Sequence, residues 1–314
     1  MDKKKFWIII IFSVIVYLII MIYADFGKLI DLIKEFPLYF IPLLCFFTFL
    51  NYLIRYIKWS YLLKKADVIL THKQNFFVFF SGLSMIITPG KIGEIWKSWL
   101  IKDINNEKIS KTLPVVIVER ITDVLGFVIL IVSGGLYYYE QSIYLIFILM
   151  GGFLLFYFSI RSEKISSKII NILEKRLIKY SIDVKVIHTS FRKTMEPKGL
   201  ILMVFISAFG WFFECIALYL TVIAFGEFIS INLSTFIFSF ASLAGAVSMI
   251  PGGIGIAEGT ISGLLQFFSI EQTTSVGISI IVRATTLWFG VIMGLIVYIL
   301  FKGKFIKNMV KTIK

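Results

Sequence analysis

Long apolar runs alternate with short polar segments along most of this chain. Six of the runs are long enough to cross a membrane, for which a helix needs about 20 apolar residues. By number they are residues 6–24, 37–63, 112–137, 142–160, 199–225 and 275–301. A transmembrane barrel strand would instead be about ten residues of alternating polarity. The pattern therefore predicts an all-α, polytopic membrane protein with six spanning helices.

Two further apolar stretches are interrupted by proline and glycine. The first, residues 75–101, breaks at Pro89 and Gly90, and the second, residues 233–268, breaks at Pro251. Neither half of the first stretch reaches the length of a span. Proline ends a helix, and glycine allows the positive φ of a tight turn. Each stretch is therefore predicted to be a helical hairpin.

The two hairpins carry the same motif. The first reads Pro-Gly-Lys-Ile-Gly-Glu and ends at Glu94, and the second reads Pro-Gly-Gly-Ile-Gly-Ile-Ala-Glu and ends at Glu258. Each motif is followed by an apolar span that carries one arginine, Arg120 or Arg283. Equivalent positions lie 162 to 164 residues apart (251 − 89, 283 − 120 and 258 − 94). Matched spacing of this kind indicates an internal repeat.

The repeat divides one multi-pass transmembrane domain, residues 1–314, into two similar parts. Repeat one covers about 37–137 and repeat two about 199–301, with a basic loop, 161–198, between them. Each repeat is predicted to contain a span, a hairpin and a second span.

Basic residues are concentrated in one set of segments. The chain is 58% hydrophobic and only 16% charged, with a net charge of +13, whereas soluble domains average about 25% charged residues. Of the 32 Lys and Arg residues, 28 lie in segments 3–5, 55–73, 91–111, 161–198 and 302–314. Positive loops stay in the cytoplasm, so both termini and the 161–198 loop are expected there. Membrane topology accounts for the positive charge, and no nucleic acid partner is expected.

The same charge distribution orients the hairpins. The first hairpin is flanked on both sides by basic, cytoplasmic segments, so it must enter and return from the inside. The second is flanked by the connectors 226–232 and 269–275, which contain no Lys or Arg, so it enters from the outside. The result is an inverted repeat with two opposed re-entrant hairpins. Inverted repeats whose broken helices meet near the midplane are a transporter architecture.

Arg120 and Arg283 lie near the middle of predicted spans. An arginine there costs about 2.5–3.5 kcal/mol on insertion scales, so it normally faces a partner or a water-filled cavity. One interpretation is that both arginines face the hairpin tips and bind an anionic group. The other is a structural ion pair. The candidate partners are Glu119, Asp123 and Glu94 for Arg120, and Glu258 and Glu214 for Arg283. The interpretations are compatible if a substrate breaks the pair.

Four carboxylates accompany these arginines. Glu94 and Glu258 each lie near the start of the second helix of a hairpin, where they act either as simple helix N-terminal charges or as proton or cation sites. Glu119 and Asp123 lie four residues apart on one helix face. Two like charges in that relation are unfavourable unless a cation lies between them. Arg120 or a bound ion could be that cation.

The proline and glycine residues of the tips complete the predicted site. They are Pro89, Gly90 and Gly93 in repeat one and Pro251, Gly252, Gly253 and Gly255 in repeat two. The freed N–H groups and the next helix N-terminus would point at the tip, which is an anion-binding arrangement. Two tips and two arginines predict one phosphate-sized site. The alternative is that these residues only turn the chain.

The motifs resemble those of the lysylphosphatidylglycerol synthase transmembrane family. The resemblance is carried by Thr88–Glu94, Val118–Asp123 and Pro251–Glu258, and it covers essentially the whole chain. That family includes the flippase domain of multiple peptide resistance factor and many stand-alone archaeal and bacterial proteins. The resemblance implies lipid translocation or support of a lipid-linked glycan pathway. The soluble aminoacyl-transferase domain of full-length synthases is not found in this sequence, so no synthase activity is expected.

These observations predict a flippase-like transporter of an anionic lipid, a phospholipid or a polyprenyl-phosphate-linked sugar, in the cell membrane. Arg120 and Arg283 would bind the phosphate, and the four carboxylates would relay protons or balance charge. The alternative is a non-transporting subunit that docks a glycosyltransferase or lipid synthase through the 161–198 loop. An intramembrane enzyme is disfavoured, because no nucleophile–base or metal-binding motif is present. No cofactor or metal is expected, and the oligomeric state is left open.

Overall fold

The computed structural model describes residues 3–88, 93–135, 142–162 and 181–306. All regular structure in these ranges is helical. The helices are α1 (Lys3–Tyr23), α2 (Phe26–Glu35), α3 (Phe40–Lys65), α4 (His72–Leu83), α5 (Trp96–Asn105), α6 (Ile109–Gly135), α7 (Ser142–Arg161), α8 (Ser181–Thr194), α9 (Pro197–Ala224), α10 (Ile231–Val247), α11 (Ile256–Phe267) and α12 (Gln272–Phe305). Pro89, Gly90 and residues 163–180 of the 161–198 loop lie outside the described residues.

Three helices, α3, α9 and α12, are long and apolar enough to cross a membrane. Helix α2 is bent by 95° relative to the apolar part of α1. If these two helices together form one broken span, the described residues contain four candidate membrane spans. Helices α6 and α7 have 27 and 20 residues, and α6 carries four charged residues. The helical membrane protein is confirmed, and the count of six spans stays a prediction.

Polar capping residues set the starts of three helices, each within about three residues of the predicted boundary. Thr71 and Gln74 form a capping box at the start of α4. The Ser230 hydroxyl accepts from Leu233 N at the start of α10, and the Glu271 carboxylate accepts from Thr274 N at the start of α12. Such caps satisfy N–H groups that have no partner inside the helix.

Helices α3 and α9 pack against each other in opposite directions. Three contacts mark their course: Phe47 with Phe213, Lys58 with Ser207, and Lys65 with Glu196. Because residue numbers rise along α3 as they fall along α9, the two helices are antiparallel. Helix α3 opens repeat one and α9 opens repeat two, so the first spans of the two repeats run oppositely.

Two hairpin contacts are reciprocal between the predicted repeats. Helix α4 of the first hairpin packs on α12, the last span of repeat two, and α10 of the second hairpin packs on α6, the last span of repeat one. Within the hairpins, α4 packs on α5 and α10 on α11. Asn51 of α3 also hydrogen-bonds Glu214 of α9, which lies 163 residues further along the chain. This separation falls within the 162 to 164 residues of the predicted repeat.

Candidate functional site

The tip of the second hairpin is a tight turn between α10 and α11. Its backbone has a positive φ at Gly252 (61°), Gly253 (66°) and Gly255 (89°), a conformation that glycine adopts at little cost. Glu258 Oε2 accepts a hydrogen bond from Gly255 N at 2.7 Å. One oxygen of this carboxylate therefore caps the start of α11, as the helix-charge interpretation predicts.

The other oxygen of Glu258 belongs to a small network. Arg283 Nε donates to Glu258 Oε1 at 2.9 Å, and Arg283 Nη2 donates to the carbonyl oxygen of Gly252 at 2.5 Å. The Tyr17 hydroxyl also donates to Glu258 Oε1, at 2.9 Å, and itself accepts from Trp288 Nε1. Arg283 thus bridges the hairpin tip and the carboxylate, so the ion-pair interpretation describes its position here.

Replacing Gly253 with alanine is expected to lower the thermal stability of the protein. The new Cβ would approach Gly245 Cα to 3.0 Å at a φ of +66°, and backbone strain of this kind costs about 1–3 kcal/mol. The measurement is the melting temperature of the detergent-solubilised protein. Gly263→Ala is the matched control, because a Cβ at this helical position meets nothing within 4 Å. An unchanged melting temperature in Gly253→Ala would contradict the described tip.

Arg120 occupies the equivalent position in repeat one. Its Nη1 lies 3.1 Å from Glu94 Oε1, and its Nη2 lies 2.6 Å from Glu119 Oε1 and 3.2 Å from Asp123 Oδ2. All three candidate partners therefore contact Arg120. The pairs Arg120–Glu94 and Arg283–Glu258 are related by the repeat offset, since 258 − 94 is 164 and 283 − 120 is 163. Gly93 N donates to Thr88 Oγ1 at 2.7 Å.

This network contains three further basic residues, Arg55, Lys58 and Lys97. The sequence motifs do not predict them as site residues. Their side chains are at most 3% exposed. Arg55 and Lys58 are treated as cytoplasmic charges in the topology prediction, but both lie within the apolar stretch of α3. Their position inside a predicted span is the sequence feature that could have identified them as buried residues. Removing these three from the 28 topology-setting residues leaves 25, so the charge distribution still favours the same orientation.

Lys58 has the most complete set of contacts in this cluster. Its Nζ contacts Asp123 Oδ1 at 2.5 Å, Ser207 Oγ at 2.6 Å, and both Glu119 O and Thr122 Oγ1 at 3.2 Å. Because the lysine comes from α3, the carboxylate from α6 and the serine from α9, this contact fastens both repeats together.

Lys97 lies beside the same carboxylates. Its Nζ hydrogen-bonds Glu119 and lies 3.4 Å from Glu94 Oε2, and it lies 4.3 Å from the centre of the Trp59 ring. The cluster therefore combines four cations, Arg55, Lys58, Lys97 and Arg120, with three carboxylates, Glu94, Glu119 and Asp123. The cations between Glu119 and Asp123 resolve the like-charge conflict that their spacing predicts.

A small cavity of about 60 Å³ lies between the two repeats. Arg55 and Trp211 line it from α3 and α9, and Arg283 lines it from α12, together with the tip residues Gly252 and Gly253. Glu214 also lines it. Of the predicted site residues of repeat two, Arg283, Gly252 and Gly253 thus line a shared cavity. The charged lining residue from repeat one is Arg55, while Arg120 lies in the ion cluster that Arg55 borders.

Comparison with known proteins connects this architecture to a family. The model of the lysylphosphatidylglycerol synthase transmembrane region matches residues 10–294. A UPF0104 membrane protein of Methanocaldococcus jannaschii is 23% identical over 235 residues, which cover 71% of this chain and 95% of that protein. A second, from Methanothermobacter thermautotrophicus, is 21% identical over 319 residues and covers 93% of this chain and 94% of its own length. No solved structure matches the chain.

Proposed function

We propose a lipid-transport function for this chain, which belongs to the lysylphosphatidylglycerol synthase transmembrane family. It moves an anionic lipid, a phospholipid or a polyprenyl-phosphate-linked sugar, from one leaflet of the cell membrane to the other. The observation that carries the proposal is the cavity between the repeats, whose lining combines Arg55, Arg283 and the glycine tip of the second hairpin.

The packing of the repeats supports a transporter architecture. Antiparallel α3 and α9, the contact between Asn51 and Glu214, and the exchange of hairpins between repeats are the arrangement expected of two units related by an axis in the membrane plane. Transporters of this kind place their substrate site near the midplane, where broken helices meet. We therefore assign both hairpins as re-entrant, from opposite sides.

The charged residues then divide into two roles. Arg283 and Arg120 provide the positive charge for the lipid phosphate, and the carboxylates Glu94, Glu119, Asp123 and Glu258 hold the arginines in place between transport cycles. A phosphate that approaches Arg283 competes with Glu258 for the same guanidinium. The ion pairs thus provide a closed resting state that the substrate opens.

Reconstitution of the protein into liposomes tests the proposal. Fluorescent phosphatidylglycerol and fluorescent phosphatidylcholine are placed in both leaflets, and dithionite bleaches the outer one. Movement of the anionic lipid is expected to exceed both that of phosphatidylcholine and that in protein-free liposomes. Equal rates with and without protein for every anionic lipid tried, including a polyprenyl-phosphate sugar, would refute transport and favour the docking-subunit alternative.

Cysteine labelling tests the proposed topology, with both termini cytoplasmic. In a Cys45→Ser, Cys215→Ser background, a cysteine at Asn105 should react only with a reagent that reaches the inside. A cysteine at Phe228, whose side chain is 85% exposed, should react with an impermeant reagent from the outside. The physical reason is the charge of the connecting segments. If both positions react from the same side, the two hairpins do not enter from opposite faces.

A further inference from the structure

Arg55 is buried but makes no hydrogen bond to any residue that the structure describes. Its guanidinium is 2% exposed, and its closest carboxylate contacts, Glu119 Oε1 and Asp123 Oδ2, are both 3.8 Å from Nη2. Arg55 Nε is fully buried without a partner. A buried donor without a hydrogen-bond partner costs about 1–3 kcal/mol, and more when the group is charged. The two carboxylates balance the charge of Arg55, whereas its Nε donor is left available for an acceptor.

Trp211 presents a second unused donor at the same place. Its Nε1 is buried and has no hydrogen-bond partner in the described part of the chain. The Arg55 guanidinium carbon lies 4.8 Å from the centre of the Trp211 ring, so the aromatic ring orients the guanidinium. Both side chains line the cavity that Arg283 also lines.

We propose that Arg55 of repeat one and Trp211 of repeat two form an oxyanion site in this cavity and bind the phosphodiester of a lipid headgroup, together with Arg283 of repeat two. The proposal deepens the transport function and rests on it for the lipid source of the phosphodiester. It adds two ligands, Arg55 and Trp211, that sequence motifs do not identify. A guanidinium binds two phosphate oxygens side by side, which an ammonium group cannot do.

The charge of the lining favours a singly charged group. The charged side chains among the described lining residues are Arg55, Arg283 and Glu214, which gives a net charge of +2 − 1 = +1. A phosphodiester carries a single negative charge, whereas a phosphomonoester carries about −1.5 to −2 at neutral pH. A diester is therefore matched, and a free phosphate or a monoester leaves excess negative charge beside Glu214.

The position of Arg55 also couples the cavity to the ion cluster. The same guanidinium that faces the cavity lies within 3.8 Å of Glu119 and Asp123. When a phosphodiester binds, it draws Arg55 toward the cavity, and the carboxylates then depend more strongly on Lys58 and Arg120. Arg55 is thus a specificity-determining residue that links substrate binding to the contacts between repeats.

Binding to the full-length protein in detergent tests this site. The probes are dihexanoyl phosphatidylglycerol, dihexanoylglycerol, which lacks the phosphodiester, and inorganic phosphate, with affinities measured by native mass spectrometry and thermal shift. Arg55→Gln is expected to weaken phosphatidylglycerol binding at least about tenfold, Arg55→Lys less, and Trp211→Phe about threefold. Arg192→Gln, a change in α8 away from the cavity, is the matched control and should bind as the wild type does.

Several outcomes would overturn the assignment. Wild-type affinity in a folded Arg55→Gln variant would show that Arg55 is not a ligand. Equal affinity for phosphatidylglycerol and dihexanoylglycerol would show that the protein does not recognise the phosphodiester. Tight binding of inorganic phosphate in preference to the lipid would assign the site to a free anion.

A labelling experiment on the wild-type protein keeps the proposal testable if the variants do not fold. A phosphatidylglycerol analogue with a photoreactive group on its glycerol headgroup is expected to label peptides of α3 and α9 around the cavity. Labels confined to outer surfaces would contradict the site. If the protein transports the lipid but does not bind the probe at this site, only the present inference is rejected. If it binds the probe but does not transport the lipid, the proposed function is rejected and the binding site stands.

Discussion

Replacing Lys58 with methionine is expected to destabilise the protein by about 3–5 kcal/mol, the cost of breaking a buried ion pair by removing one partner. Lys58 is fully buried and contacts Asp123, Thr122, Ser207 and the carbonyl of Glu119. Methionine fills a similar volume but carries no positive charge. The negative charge of the buried Asp123 carboxylate is then less well balanced in a low dielectric. The measurement is the unfolding midpoint of the purified protein in mixed micelles.

Two further variants make the result specific to the buried pair. Lys64→Met, at an exposed position near the end of the same helix, should leave the midpoint nearly unchanged. The double variant Lys58→Met, Asp123→Leu removes both charges and should recover part of the loss, because neighbours that share a contact are not additive. If Lys58→Met unfolds at the same midpoint as Lys64→Met, the ion cluster does not hold the two repeats together.

Replacing Arg283 with alanine is expected to reduce lipid transport by at least about 30-fold. Truncating one member of a buried, hydrogen-bonded charge pair costs about 2–5 kcal/mol, and in the proposed function Arg283 pairs with the lipid phosphate once it leaves Glu258. Arg283→Lys should be impaired less, because lysine keeps the charge but loses the planar fork that binds two oxygens. The measurement is the rate of fluorescent phosphatidylglycerol movement in proteoliposomes.

Loss of folding must be separated from loss of transport in this series. Glu258 keeps hydrogen bonds from Tyr17 and Gly255 when Arg283 is removed, so the tip retains part of its support. Elution as a monodisperse species and a retained melting transition are the criteria for including a variant. A folded Arg283→Ala protein that transports at the wild-type rate would make the arginine purely structural.

The repeat could be recognised from the sequence because its signals are local. A Pro-Gly pair favours a helix break, and the paired arginines recur at matched spacing, so both signals are visible in the sequence alone. The equivalence of Arg120–Glu94 and Arg283–Glu258 in the structure follows the same spacing. The number of spans and the inversion of the repeats stay predictions, supported by the antiparallel course of α3 and α9.

The complete ion cluster could not be predicted because it depends on which helices touch. Lys97 follows a tip motif and resembles an interfacial lysine, yet it lies 3% exposed between Glu94, Glu119 and the Trp59 ring. Long basic side chains extend toward water from the end of a span in many membrane proteins, so sequence position alone does not separate the two environments. Only the packing of α5 against α6 shows that Lys97 faces inward.

The transport rate of the Arg120→Ala, Arg283→Ala double variant tests the central claim most directly. Fluorescent phosphatidylglycerol movement is measured in liposomes that contain equal amounts of folded wild-type or variant protein. The account predicts movement in wild-type liposomes well above the protein-free rate, and movement in the variant at that background. A folded double variant that moves the lipid as fast as the wild type would contradict a role for the paired arginines in transport.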